Sequence, residues 1–350
     1  MGKTSFVVRN WKLILNLVTV GALCILVYAI RHQVVDTFHN LFKVNGWFIS
    51  LMIPIELLNY HAQVRMYQAI FGLVGNRLSY GFLYRASLEL NFVNHVFPSG
   101  GVSGISYFSL RMKNNEITAS KATLVHFIKI ILIFMSFEIL FIFGLLFMAI
   151  GGKANNLVVL VTSSLATLVV VATVAFVFIL GSERRIHATF SALTRTANKL
   201  IHVVRPHRPE TISMARAEAV VEELHQNYKL IERNYRQLQA PFWWAFVANV
   251  TEILAIYVVY IAFGEWVNLG AVILAYAVAN FAGVISVLPG GIGIYEALMT
   301  GVLAAAGIPA ALSLPVTVMY RVINTLIQIT PGYFFYHKTL RGSSEQGNAG

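Results

Sequence analysis

The sequence predicts an all-α polytopic membrane protein. About eight membrane segments are expected, arranged as two inverted repeats that each carry a Gly-rich broken, re-entrant helix hairpin. Three observations predict this. The 350 residues are 57% hydrophobic and only 12% charged, with a mean hydropathy of +0.69, whereas a soluble domain carries about 25% charged residues. Apolar stretches recur at lengths near the roughly 20 residues that cross a bilayer as a helix. Two of these stretches run straight into Gly-rich clusters that begin with Pro, "PSGG" and "PGG", where a helix should break.

In chain order, the apolar segments are 11–30, 46–71, 79–97, 120–150, 156–181, 241–263, 267–288 and 310–336. The first is too long for a signal-peptide core and no small-residue cleavage site follows it, so it reads as a span. It holds Cys24, the chain's one cysteine, which excludes an intrachain disulfide. The third segment runs into "PSGGVSGISYFSLRM" and the seventh into "PGGIGIYEA".

Between the fifth and sixth segments lies a polar stretch, 182–240, with ten Lys or Arg against six Asp or Glu. It reads as two amphipathic helices broken by "RPHRP" at 205–209. One apolar stripe is Ile186, Phe190, Leu193, Ala197 and Leu200. The other is Ala217, Val221, Leu224, Tyr228, Ile231, Tyr235 and Leu238, at helical spacing. A basic amphipathic hairpin suits an anionic membrane surface and is also a place for a protein partner.

The formal charge of +11 would suggest nucleic acid in a soluble protein. Here it reports topology, because Lys and Arg collect on the cytoplasmic side, so no nucleic-acid partner is expected. Lys3, Arg9 and Lys12 place the N-terminus in the cytoplasm, and His337, Lys338 and Arg341 the C-terminus. With 182–240 also cytoplasmic, the fourth segment must start inside, near Arg111, Lys113 and Lys121. The third segment also leaves from the inside. It therefore turns at Pro98–Gly104 and returns as a half-helix over 102–112. By the same parity the seventh segment turns at Pro289–Gly293, and a half-helix over 294–306 returns outward.

The halves, 1–150 and 156–340, then have the same order and opposite orientation within one integral membrane domain. Sequence traces agree. "IELLNY" at 55–60 resembles "TEILAIY" at 251–257, and "NFVNHVFPSGG" resembles "NFAGVISVLPGG". Lys129 and Arg321 fall at similar distances past the two Gly pairs. Inverted repeats joined at broken helices are a transporter architecture, with the site near the midplane.

Candidate binding residues follow from this geometry. The turns at Pro98, Gly100 and Gly101, and at Pro289, Gly290, Gly291 and Gly293, place helix N-termini at membrane depth, where orphan N–H groups favour an anion. Lys129 and Arg321 are intramembrane cations, and an Arg fork matches a phosphate. Glu296, in the first turn of the second half-helix, either complements the helix dipole or binds a headgroup amine or a coupling proton. Asn91, Asn94 and His95 share a face leading into the first turn and either line a cavity or bond neighbouring backbone. Glu56 and Glu252 are the expected counter-ions of the buried cations, with Glu252 or Glu296 the acid that would pair with Arg321, and Arg85 and Glu89, four apart, are expected to pair. The ten His residues show no metal-ligand spacing, so no metal or cofactor is expected.

The stretch "VLPGGIGIYEALMTGVLAAAGIPAALSLPVTVMYRVINTL" resembles the membrane domain of lysylphosphatidylglycerol synthase–flippases and the free-standing proteins related to it. It carries the pattern P-G-G-x-G-x-x-E, a small-residue helix, "G-I-P" and a Tyr-Arg in the next span. "NFVNHVFPSGGVSGISYFSLRMKNNEITASKA" resembles the first-half motif of that family. The resemblance implies a lipid translocase or an accessory of lipid-linked biosynthesis. Two-domain members carry a soluble aminoacyl-transfer domain after the last span, and here about a dozen residues follow it. Neither the lysyl-transfer reaction nor lysylphosphatidylglycerol as the lipid is carried over.

The expected function is movement of a phospholipid or polyprenyl-linked lipid between leaflets of the cell membrane. Its partners are lipids with an anionic headgroup or lipid-linked phosphate. No Walker motif, G-x-S-x-G elbow or Asp-rich motif is present, so no catalytic residue is assigned. The alternatives are a non-catalytic scaffold of a lipid- or envelope-modifying complex and, behind it, an enzyme acting on lipid phosphates. Oligomeric state is left open.

Overall fold

The computed structural model describes residues 44–97, 102–113, 115–152, 156–189, 191–192, 214–281 and 291–347, with Tyr28, Arg31 and Val35 of the first apolar segment. The rest of that segment, Cys24 included, lies outside the described residues. So do Phe190, Leu193, Ala197, Leu200, "RPHRP" and the two Pro-Gly clusters up to Gly290.

The fold is all-α. A short α1 (Gly46–Ser50) leads into α2 (Met52–Leu73), followed by α3 (Tyr80–Val96), α4 (Val102–Lys113), α5 (Ala119–Ile150) and α6 (Asn156–Leu180). After the polar stretch come α7 (Met214–Arg233), a 3₁₀ turn at Tyr235–Leu238, α8 (Gln239–Ala262), α9 (Leu269–Asn280), α10 (Ile294–Ala305) and α11 (Ala310–Gly347). Polar side chains set several starts. Asn45 caps α1, Ser79 caps α3, Thr118 caps α5 and Asn268 caps α9, each oxygen accepting a first-turn N–H.

Among the described residues, four helices are long and apolar enough to cross a membrane: Ala119–Ile150, Asn156–Leu180, Tyr235–Ala262 and Ala310–Leu340. That is four fewer than the eight segments expected, for four reasons. The segment at 79–97 forms α3, whose 17 residues carry Arg85, Glu89, Asn91, Asn94 and His95. The first segment is largely undescribed. The segment at 46–71 forms α1 and α2, and α2 carries Glu56, Asn59, His61, Gln63, Arg65 and Gln68. It can do so because it runs through the centre, where Glu56, Asn59 and Tyr60 are buried by neighbouring helices. The segment at 267–288, expected as one long helix, stops at Asn280. There the Asn280 amide donates back to the Tyr276 carbonyl at 2.8 Å, a side-chain bond that competes with helix propagation.

The helices pack as two hairpins set into a bundle. α3 and α4 fold back on one another: Gly104 lies against Asn94 near the turn, and Arg111 and Tyr107 reach Glu89 at 2.8 Å each. α9 and α10 form the second hairpin. The two open toward opposite ends. Thr118, just beyond the first, bonds Glu223 of α7. Asn268, at the base of the second, donates to the Phe147 carbonyl near the other end of α5, at 3.1 Å. The end of α9 reaches mid-height, where the Phe281 ring lies 5.4 Å from that of Phe134, halfway along α5.

Close helix approach holds the hairpins in place. A Cβ on Gly270 of α9 would sit 2.4 Å from the Gly144 carbonyl of α5, and one on Gly332 of α11 would sit 2.6 Å from the Leu88 carbonyl of α3. At the centre α2 lies on α8, where the Asn59 amide donates to the Ala248 carbonyl and the Thr251 hydroxyl, both at 2.9 Å. In the polar stretch, Ile186 and Ile231 are buried and Tyr228 and Leu238 pack beside them. Tyr235 departs from its expected stripe: it falls on the 3₁₀ turn and is exposed. The side chains of Ala217, Val221 and Leu224 are not among those described.

Candidate functional site

The ends of α3 and α9, the start of α10, α8 and the middle of α11 line a polar cavity of about 410 Å³. α3 contributes Asn94 and His95, the second hairpin contributes Tyr276, Asn280 and Tyr295, and α8 contributes Glu252. The fourth wall is one face of α11. Arg321, Asn324, Thr325 and Gln328 fall at i, i+3, i+4 and i+7, so their side chains line a single stripe. A polar, irregular cavity at mid-bundle is where broken helices are tolerated in a membrane protein.

Arg321 is the cation of this cavity. Its Nη1 donates to Glu296 Oε1 at 2.5 Å, and its guanidinium lies 4.7 Å over the Tyr295 ring. Glu296 is buried and used twice, because its Oε2 also accepts the Gly293 N–H at 2.7 Å. The carboxylate thus caps the start of α10 and holds Arg321 against it. Gly291 and Gly293 make the approach, with φ of +68° and +86°, a left-handed conformation that favours glycine. The sequence left Glu252 and Glu296 both open as partners of Arg321, and the structure selects Glu296. The anion at this helix N-terminus is the protein's own carboxylate.

The other singled-out residues are placed as follows. Lys129 is not in the cavity. It is buried on α5, donates to Gln63 Oε1 at 3.0 Å and lies 4.7 Å over the Tyr67 ring. The amide of Gln63 continues to Asn59 Oδ1 at 2.6 Å, so Lys129 ties α5 to the α2–α8 contact. Asn91 donates to the Tyr60 hydroxyl at 3.1 Å, and His95 donates from Nδ1 to the Asn91 carbonyl at 2.8 Å. Asn94 Oδ1 is buried without a hydrogen-bond partner.

Three expected pairings are corrected. Glu89 does not pair with Arg85. It is taken across the hairpin by Arg111 and Tyr107, with the Thr339 hydroxyl donating at 2.8 Å, while Arg85 sits 5.9 Å over the Phe335 ring. Glu56 and Glu252 are not counter-ions of Lys129 and Arg321. Glu252 Oε2 accepts from the Tyr320 hydroxyl at 2.5 Å and the Asn324 amide at 3.2 Å, and Glu56 Oε2 accepts from Gln328 at 3.4 Å. Neutral donors hold both acids because the two cations are engaged elsewhere. Pro98, Gly100, Gly101, Pro289 and Gly290 lie outside the described residues.

Sequence reading missed Tyr276, Asn280, Tyr295, Tyr320, Asn324, Thr325 and Gln328. The α11 residues did leave a signal, since "RVINTLIQ" repeats polar side chains at helical spacing inside an apolar span. The phenols left none, because a tyrosine in a membrane helix reads as apolar packing. Beside the polar cavity lies an apolar groove of about 400 Å³ between α5 and α6, lined by Phe127, Phe134, Val169, Ala172, Phe176 and Phe281. Consecutive residues line the two spaces, Asn280 the polar cavity and Phe281 the apolar groove.

The family profile described as the lysylphosphatidylglycerol synthase TM region matches residues 13–332. A UPF0104 membrane protein of Methanothermobacter thermautotrophicus is 31% identical over 102 residues, which cover 29% of this chain and 30% of that protein. A UPF0104 membrane protein of Pyrococcus horikoshii is 27% identical over 104 residues, 30% of this chain and 31% of that one. The chain therefore aligns with about a third of the length of each relative.

Proposed function

The chain belongs to the family of the lysylphosphatidylglycerol synthase TM region, and from that premise we propose that it translocates a lipid between the leaflets of the cell membrane. The lipid is a phospholipid or a polyprenyl-linked lipid. Its anionic headgroup enters the polar cavity and its chains stay in the apolar groove and the bilayer. The observation that carries this reading is the pair Asn280–Phe281: Asn280 lines the polar cavity that Arg321 also lines, and Phe281 lines an apolar groove. An amphipathic ligand needs both within one molecule's length.

The chemistry at the head is an exchange of anions. Arg321 is held by Glu296, and Glu296 caps α10. A lipid phosphate offers the same two functions, acceptor for the guanidinium and anion for the helix N-terminus. The phosphate displaces Glu296 at Arg321 and is itself displaced when the lipid leaves. The site then returns to a paired state and exposes no bare charge between cycles. Inverted repeats, with the hairpins as re-entrant elements and both termini cytoplasmic, give the two sides of the membrane equivalent access. No bond of the lipid is made or broken in this scheme, so the protein acts as a carrier and not as an enzyme. The polar stretch 182–240, basic as a whole, docks on anionic headgroups at the cytoplasmic surface.

The test is transfer in proteoliposomes. A fluorescent anionic phospholipid placed in one leaflet is expected to appear chemically unchanged in the other, faster than in protein-free vesicles. Conversion of the lipid would favour an enzyme. Neither transfer nor conversion, with a correctly folded protein, would favour a scaffold.

A further inference from the structure

We infer that Glu56 and Glu252 form a proton-binding site that couples lipid transfer to a proton gradient, an inference that rests on the translocase reading above. The two acids occupy corresponding places in "IELLNY" and "TEILAIY". Their helices, α2 and α8, lie on one another at the centre of the bundle through Asn59, and the two carboxyls are joined by a short hydrogen-bonded chain through Gln328 and Asn324.

Their surroundings differ in a way that places the proton. Glu252 Oε2 has two donors, Tyr320 at 2.5 Å and Asn324 at 3.2 Å, a setting that suits an anion. Glu56 is only 1% exposed and has one long contact, from Gln328 to Oε2 at 3.4 Å, while its Oε1 is buried with no hydrogen-bond partner. A buried anion with a bare oxygen is the state that burial penalises most. A proton on Glu56 removes that buried charge.

The groups on the surrounding helices do not supply the missing positive charge. On α3, His95 donates to the Asn91 carbonyl, and Glu89 is held by Arg111. On α5, Lys129 donates to Gln63, and His126 lies against the Tyr67 hydroxyl. On α10 and α11, Glu296 and Arg321 hold each other. The phenols of Tyr60, Tyr276, Tyr295 and Tyr320 are the remaining titratable neighbours, and they are neutral at physiological pH. Among the described residues, no cation lies within ion-pair distance of Glu56 or Glu252.

Gln328 joins this pair to the cavity. It lines the cavity, contacts Glu56 Oε2 and donates to Asn324 Oδ1 at 2.9 Å. Asn324 in turn donates to Glu252. Rotation of Gln328 opens Glu56 to cavity water. A proton then binds from the side on which the cavity is open and leaves to the other side after the repeats rearrange.

The test uses the full chain in proteoliposomes and two readouts. The first is infrared spectroscopy at neutral pH, independent of any transport. A protonated-carboxyl C=O stretch is expected in the wild type, lost in Glu56→Gln and displaced in frequency by Gln328→Leu, which keeps both acids. If neither substitution changes that band, the proton site is overturned. The second is transfer of a fluorescent anionic phospholipid under an imposed pH gradient. Several-fold acceleration is expected in the wild type, and loss of the gradient dependence in Glu56→Gln and Glu252→Gln. Wild-type transfer that ignores a proton gradient, or follows a sodium gradient, overturns the coupling and leaves the translocase reading standing. No wild-type transfer at all overturns the translocase reading and the coupling with it, and the infrared band then decides the proton site alone.

Discussion

At the scale of single residues, Arg321 and Glu296 carry the argument. Each is an ionisable side chain inside an apolar stretch, and each was legible for that reason. Their pairing was legible only as one of two choices, because "GIYEA" and "MYRVI" lie far apart in sequence and nothing local selects Glu296 over Glu252. The pair has a testable energetic signature. Arg321→Gln leaves the buried Glu296 carboxylate without its cation, which should destabilise the fold by about 3–5 kcal/mol. Arg321→Gln with Glu296→Gln removes both charges and should regain most of that stability. Thermal unfolding in detergent reads the first effect and the recovery. Lipid transfer should stay lost in the double variant, because neither glutamine attracts a phosphate. Restored transfer there would reduce Arg321 to a structural partner of Glu296. The Glu89 pairing escaped sequence reading for a related reason. Arg85 stands one helical turn from Glu89 and suffices on a helical wheel, while Arg111 reaches it only once the hairpin has closed.

At the scale of elements, the boundaries of most helices were legible, because apolar runs and polar caps mark them. The expected 79–97, 120–150, 156–181 and 241–263 became Tyr80–Val96, Ala119–Ile150, Asn156–Leu180 and Gln239–Ala262. The end of α9 was not legible. "AYAVANFAGVISVL" is apolar throughout, and the break depends on one asparagine bonding its own helix. Gly270 and Gly332 were also passed over, since a glycine in an apolar helix has no visible purpose until a second helix lies against it. Gly270→Ala places a methyl into the Gly144 carbonyl, and overpacking of this kind should cost about 1–3 kcal/mol. Gly293→Ala strains a residue at φ +86° and should cost about 1–2 kcal/mol, and it loosens the cap through which Glu296 holds Arg321. Thermal unfolding should show both losses. Lipid transfer measured at equal amounts of folded protein should fall further for Gly293→Ala than for Gly270→Ala.

At the scale of the whole molecule, the charge pattern and the parity of the spans led to two hairpins opening in opposite directions, and Thr118, just beyond the first, and Asn268, at the base of the second, lie at opposite ends of α5. What parity could not supply is that the ends of α3 and α9 and the start of α10 line one cavity with α11, because that depends on how elements distant in sequence pack. Orientation in the membrane is testable by thiol labelling in a Cys24→Ala background. Asn115→Cys and Gln226→Cys should label from the cytoplasmic side, and Asn156→Cys and Glu265→Cys from the other. Labelling of Asn115→Cys from outside would mean that the first hairpin crosses fully, and the inverted arrangement would fail with it. The claim on which the account depends is that a lipid headgroup occupies the cavity. Two adjacent residues test it most directly. Thr325 lines the cavity, and Leu326 turns outward with 51% exposure. In the Cys24→Ala background, Thr325→Cys is expected to couple to an anionic phospholipid with a thiol-reactive headgroup, in competition with the unmodified lipid, while Leu326→Cys should not couple. The account is contradicted if a small water-soluble thiol reagent reaches Thr325→Cys but the headgroup-reactive lipid does not.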